Sequence, residues 1–191
     1  MKKENSVTLT RQIAVTAILL AICIASQFLK SLSVYITGPI VNLCQILAVM
    51  MAGLLWGVIL AVITPVTAFL IAAAPVMNVV PLIIPFIMLG NIVIVVMVHF
   101  FVKPAVKDKK IPVNVRSVTG AVLSAVAKGA VMGLTISLWL LPTFIPEASP
   151  LRDKLPVLQT TFSLTQLITA LIGFVYFFIV WIPLRKSMRE A

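Results

Sequence analysis

The apolar run from Arg116 to Leu141 is long enough to cross the roughly 30 Å hydrocarbon core of a bilayer, and it is one of six such runs in the chain. The others extend over about Arg11 to Leu29, Val41 to Leu55, Gly57 to Ala73, Leu82 to Val102 and Leu158 to Leu184. None shows the period-2 alternation of a barrel strand, and each is longer than such a strand needs, which leaves a helical bundle as the spanning architecture. Composition agrees: 61% of residues are hydrophobic, 10% are charged, and the mean hydropathy is +1.17. A soluble domain of 191 residues could not bury that much apolar surface. The sequence therefore predicts an all-α integral membrane protein, a single domain over residues 1–191 with six transmembrane helices in a compact bundle.

The second and third runs are nearly continuous, broken only at Gly53-Leu-Leu-Trp-Gly57, and each is short for a full span. Charge parity separates them. Lys2, Lys3 and Arg11 precede the first run, Lys103, Lys107, Lys109, Lys110 and Arg116 surround the loop after the fourth, and Arg185, Lys186 and Arg189 follow the last. All fall on one side of a membrane only if four spans precede that loop and six precede the tail, while Lys30, Arg152 and Lys154 take the other side. Both termini are expected in the cytoplasm. The net charge of +10 is thus a topology signal, and no nucleic-acid partner is inferred from it. The first run is long for a signal peptide and has a poor cleavage pattern, which makes it a retained helix. Cys23 and Cys44 lie within apolar runs without metal or disulfide spacing, so no metal site and no cofactor is expected.

Three outward loops carry irregular chemistry. Lys30 to Ile40 holds Tyr35 and the turn-forming Gly38-Pro39. Ala74 to Pro81 carries Asn78 between prolines. Pro142 to Pro156, the longest, contains Glu147, Arg152, Asp153 and Lys154, and reads either as a lid over an outward site or as a proline-stiffened connector.

Lys128 lies near the middle of the fifth span. A lysine at the centre of a membrane helix costs roughly 2.5–3.5 kcal/mol, so such residues usually face a water- or ligand-filled interior. At helical rise it is about 18 Å from either end of the span, too far to snorkel comfortably. No Asp or Glu falls in any predicted span, which makes a ligand anion its expected partner, ahead of a protein carbonyl or water. Ser117, Ser124, Lys128 and Thr135 form one polar stripe of this helix, and Ala121, Ala125, Gly129 and Gly133 form a small-residue stripe beside it. In the sixth helix Gln159, Ser163 and Gln166 share a face, and in the fourth Asn91 lies near mid-span. Together they suggest a cavity in the outer half of the bundle lined by amides, hydroxyls and one cation, although Gln and Ser also bond helices to one another. Pro65 and Pro85 are expected to kink their helices and free carbonyls, and Trp56, Trp139 and Trp181 to anchor span ends. In the first helix Ala17, Ala21 and Ala25 recur at intervals of four, which suits close approach of another helix, within the chain or outside it. Nucleotide-binding, zinc-protease and nucleophile-triad motifs are absent, so the chain is not expected to be an enzyme or to hydrolyse ATP itself.

These features resemble the substrate-binding S components of energy-coupling factor (ECF) transporters, the prokaryotic importers of vitamins and related micronutrients. The resemblance covers nearly the whole chain and is carried by Arg11 leading into Ala17-Ile-Leu-Leu-Ala21, the Gly53-Leu-Leu-Trp-Gly57 turn, and Pro85-Phe-Ile-Met-Leu-Gly90-Asn91. It implies that Ala17 and Ala21, with Ala25, dock on a membrane-embedded T component that couples to two cytoplasmic ATPases, and that the S component topples to deliver its cargo. It also implies a multi-pass protein of the prokaryotic plasma membrane and a substrate held near the outer side by the fourth to sixth helices and external loops. The candidate binding residues are then Lys128, Asn91, Ser124, Gln159, Ser163, Gln166, Asn78 and Tyr35. With one lysine and no carboxylate, such a cavity suits a small anionic or polar vitamin better than a cationic one, with pantothenate the first expectation. A stand-alone secondary carrier or channel for a small anionic solute is the alternative, with His99 its only candidate coupling residue.

Overall fold

The computed structural model describes residues 2–29, 33–107 and 113–190, with side chains over 8–29, 33–106 and 113–187. Among these residues the chain is all-helical, and six helices are long and apolar enough to cross a membrane. They are α1 (Thr8–Gln27, the apolar part of a helix that begins at Lys2), α2 (Val34–Met51), α3 (Leu54–Ala72), α4 (Ile83–Val106), α5 (Val115–Phe144) and α6 (Leu155–Ser187). A short helix, Pro75–Val79, joins α3 to α4. Of the charges used to orient the chain, Lys30, Lys109 and Lys110 lie outside the described residues, and the side chains of Lys2, Lys3, Lys107 and Arg189 are likewise not described.

The largest departure from expectation is α2, which begins seven residues before Val41 and absorbs the turn read at Gly38-Pro39. Ser33 caps it by accepting from the Tyr35 amide at 3.1 Å. Gly38 supplies close approach instead of a turn: a Cβ there would lie 2.9 Å from Thr169 Cβ on α6. Tyr35 accordingly sits in the first helical turn, 49% exposed, and not in a loop. The break between α2 and α3 falls at Ala52-Gly53, where Gly53 adopts φ 106°, a conformation that side-chain-bearing residues rarely take. Leu54, Leu55 and Trp56 already belong to α3.

Both long later helices contain wide π turns, at Val98–Val102 in α4 and Gly133–Leu140 in α5. Helix α6 is interrupted at Ser163, whose φ of −118° and ψ of −85° are not helical. Pro85 lies in the first turn of α4, where its missing N–H has no helical partner to lose; the expected kink therefore has no cause there. Pro65 is interior to α3 and does free a carbonyl, that of Ala61, four residues earlier.

The core divides into two apolar clusters. One lies toward the end of the bundle where α1 starts and α6 finishes, and includes Cys23, Cys44, Leu60, Ile94, Val98, Phe177 and Trp181. The other occupies the opposite end, with Val76, Ile83, Met132, Ile136, Leu140, Ile145 and Phe162. Trp181 is buried with its ring 5.6 Å from that of Phe177, so it is a core residue and not an interfacial anchor. Trp56 ties α3 to α1 by donating to Gln12 Oε1 at 3.2 Å. The last connection folds back on the second cluster through Ile145 and Leu151, and Arg152 Nη1 fastens it by donating to the carbonyls of Pro142 at 2.8 Å and Ile145 at 3.3 Å.

Candidate functional site

Between the two apolar clusters runs a polar layer, and Lys128 is its centre. On α4 Asn91 separates Ile87 from Ile94, and on α5 Lys128 separates Ala125 from Met132, with members of one cluster on each side. Lys128 is 3% exposed, and its ammonium donates to Asn42 Oδ1 at 2.6 Å and to Asn91 Oδ1 at 2.8 Å. Charge-assisted bonds contribute about 1.5–3 kcal/mol each, so the two together offset the roughly 2.5–3.5 kcal/mol cost of placing a lysine at this depth. The protein's own amide oxygens therefore hold the cation in the bundle. This amends the expectation that a ligand would be its first partner, since two of the three ammonium N–H groups are already used. The charge itself has no carboxylate to balance it, as no Asp or Glu lies in the six spans.

The local sequence explains how the two asparagines reach it. Pro65 cannot bond the Ala61 carbonyl within α3, and Asn91 Nδ2 donates to that oxygen at 3.5 Å, which turns Asn91 Oδ1 toward Lys128. Asn42 is brought in by α6: a Cβ on Gly173 would lie 2.7 Å from Asn42 Cβ and 3.1 Å from the Pro39 carbonyl, so only glycine lets α2 approach this closely.

Lys128 opens on a cavity of about 110 Å³ lined by residues of all six helices, among them Gln27, Thr37, Asn42, Thr64, Asn91 and Gln166. A water needs about one-tenth of that volume, whereas sites for drug-sized ligands run to roughly 300–1,000 Å³, so the space suits several waters or a compact metabolite. Gln27, at the end of α1, donates from Nε2 to Thr64 O at 3.1 Å and to Thr67 Oγ1 at 3.0 Å. Gln45 donates to Thr64 Oγ1 at 3.3 Å. Three polar atoms of this layer are buried without a partner: Asn42 Nδ2, Gln27 Oε1 and Gln45 Oε1.

The structure brings three of the sequence-derived candidates to this cavity: Lys128, Asn91 and Gln166, the last donating to Thr161 O at 3.3 Å. Ser124 is fully buried one turn away, with its hydroxyl donating to Gly120 O at 2.6 Å on its own helix, and does not line the cavity. Gln159 and Ser163 line a different feature, an open groove of about 640 Å³ between α5 and α6. There Gln159 Nε2 donates to Ser137 O at 2.9 Å, and Ser137 Oγ donates to Gln159 O at 2.8 Å. The face predicted to join Gln159, Ser163 and Gln166 is divided by the break at Ser163. Asn78 is exposed on the short helix, and Tyr35 is exposed at the start of α2; neither lines the cavity.

The sequence reading missed Asn42, Gln27, Thr37 and Thr64. Its available signal was that amides within otherwise apolar runs need partners, and Gln27, Asn42 and Gln45 are such residues in the first two helices. The small stripe of α5 packs as expected: a Cβ on Gly129 would meet Leu167 Cβ at 3.0 Å, and one on Gly133 would meet Ser163 Cβ at 3.3 Å. Ala17, Ala21 and Ala25 are all exposed on the outward side of α1, beside Ile18 and Ile22, which sets aside an intramolecular contact for that stripe. Among the described residues no group of His, Cys, Asp and Glu could hold a metal ion. No protein-family model, curated protein or solved structure matches this chain.

Proposed function

We propose that this chain is the substrate-binding subunit of an ECF-type importer of the prokaryotic plasma membrane, capturing a small anionic or polar vitamin, pantothenate first among them. One observation carries the reading: a buried ammonium, held by two amide oxygens and balanced by no carboxylate, faces a small cavity with several amides and hydroxyls among its lining residues, in a bundle made for lipid. An anion entering that cavity would supply the missing counter-charge at a site of low dielectric, where the attraction is strong. The volume favours a compact vitamin over one of folate or riboflavin size.

Orientation follows from the same reading. Arg11, Lys103, Arg116, Arg185 and Lys186 sit toward the end where α1 starts and α6 finishes, and positive charge marks the cytoplasmic face. The cavity is lined by the last residue of α1, the first turns of α2 and the second half of α3, and so lies toward the outer face. The exposed Ala17, Ala21 and Ala25 offer a shallow, methyl-lined surface against which a T-component helix could pack closely, with two ATPases behind it supplying energy.

Affinity purification tests this directly. Tagged chain co-expressed with T component and ATPases should bring them down together, and replacing Ala17 and Ala21 by leucine should abolish that capture while ligand binding is kept. Robust uptake by the chain alone, in cells or vesicles without those partners, would instead establish a stand-alone carrier.

A further inference from the structure

Two amides on the wall of the cavity have their orientation fixed by bonds made elsewhere. Asn42 gives its Oδ1 to the Lys128 ammonium at 2.6 Å, and turning that amide over would set an NH2 group against a cation. Its Nδ2 is therefore a committed donor, and it is buried without an acceptor. Gln27 is the mirror case. Its Nε2 donates to the Thr64 carbonyl and to Thr67 Oγ1, so turning it over would set Oε1 against a carbonyl oxygen. Thr67 already spends its own hydroxyl proton on Thr64 O, at 3.0 Å, and cannot donate to Gln27 in exchange. Gln27 Oε1 is thus a committed acceptor, also buried without a donor.

Each unpaired buried group costs about 1–3 kcal/mol, and both residues line the same cavity while being 1% and 2% exposed. The remaining N–H of Lys128 and the Nδ2 of Asn42 supply donors from neighbouring positions, and Gln27 supplies an acceptor from a different helix. We propose that the ligand is anionic at one end and carries an N–H or O–H donor at the other. Asn42 joins Lys128 on the anion, and Gln27 accepts from the donor. Gln27 and Asn42 are then specificity-determining residues contributed by the first two helices. The inference rests on the reading of this cavity as a binding site, and it adds the requirement for a donor.

Three probes separate the parts. Pantothenate has a carboxylate with amide and hydroxyl donors, pantothenol keeps the donors without the anion, and nicotinate at neutral pH has the anion without a donor. Calorimetric titration of the full chain in detergent should show pantothenate binding roughly tenfold or more tighter than either of the others. Gln27→Leu should erase its advantage over nicotinate and leave nicotinate binding as it was. Nicotinate binding as tightly as pantothenate would overturn the donor requirement while the anion site stands. Pantothenol binding as tightly as pantothenate would overturn the anion site and this pairing with it, while the capture of a polar vitamin would stand. Equal weakening of pantothenate and nicotinate by Gln27→Leu would reduce Gln27 to a packing role and overturn its assignment. If none of the three binds, the pairing proposed here is overturned, and native mass spectrometry of the gently purified chain then decides the parent reading by whether a small anionic or polar molecule is retained.

Discussion

The cavity at Lys128 and the groove between α5 and α6 are built from the same kinds of residue and differ in whether their hydrogen bonds are closed. In the groove, Ser137 and Gln159 satisfy one another reciprocally, and Ser163 Oγ donates to Gln159 O at 2.6 Å. Its rim is formed by Leu134 and Leu138, 63% and 67% exposed, which is what lipid-facing positions look like. In the cavity, by contrast, donors and acceptors from six helices converge and some are left over. Here it is the convergence of incomplete bonds on one cavity that distinguishes the candidate site from polar pairs that join helices.

The sharpest way to break that contrast is Lys128→Met, which removes, at similar length, the only cation among the described residues that line the cavity. We expect ligand affinity to fall by more than about tenfold with membrane insertion intact, as read by titration of the purified variant. Unchanged affinity would strip the cavity of its role. Asn42→Asp asks a finer question, because it gives Lys128 an internal counter-ion at the position where Oδ1 already lies 2.6 Å away. The new carboxylate should compete with an anionic ligand and cost about tenfold in affinity, and the loss should be smaller for a neutral ligand. If Asn42→Asp bound an anion as well as the parent, the cavity would not be reading charge. On the other side of the comparison, Gln159→Leu and Ser163→Ala should alter ligand affinity by less than about twofold. Gln159→Leu should lower stability in detergent by about 0.6 kcal/mol, the average for an interhelical bond in membrane bundles, and Ser163→Ala, whose hydroxyl bonds only within α6, should lower it less. A large affinity loss from either would move the binding site into the groove.

Much of the fold was legible because span length, apolar content and charge placement are local properties of the chain. All six spans were predicted, and Arg116 to Leu141 differs from the observed Val115–Phe144 by only a few residues. Gly38-Pro39 misled because glycine serves both turns and close helix contacts, and nothing nearby in sequence shows that Thr169 will pack there. Lys128 and Asn91 stood out as polar groups deep in apolar runs. Gln159 and Ser163 were placed with them because regular helical periodicity was carried through α6, whereas the backbone departs from it at Ser163. Asn42 and Gln27 were passed over because their importance comes from partners 86 and 37 residues away in the chain.

The sequence alone thus determined that the chain is a helical membrane bundle and that a lysine near the centre of its fifth span requires compensation, since hydrophobic transfer and the cost of burying charge depend on residue type and depth. Only the tertiary structure decided which groups compensate it. A proline in α3 releases the Ala61 carbonyl that orients Asn91, a glycine in α6 lets α2 bring Asn42 to the ammonium, and the distances over which hydrogen bonds form are shorter than anything periodicity can resolve.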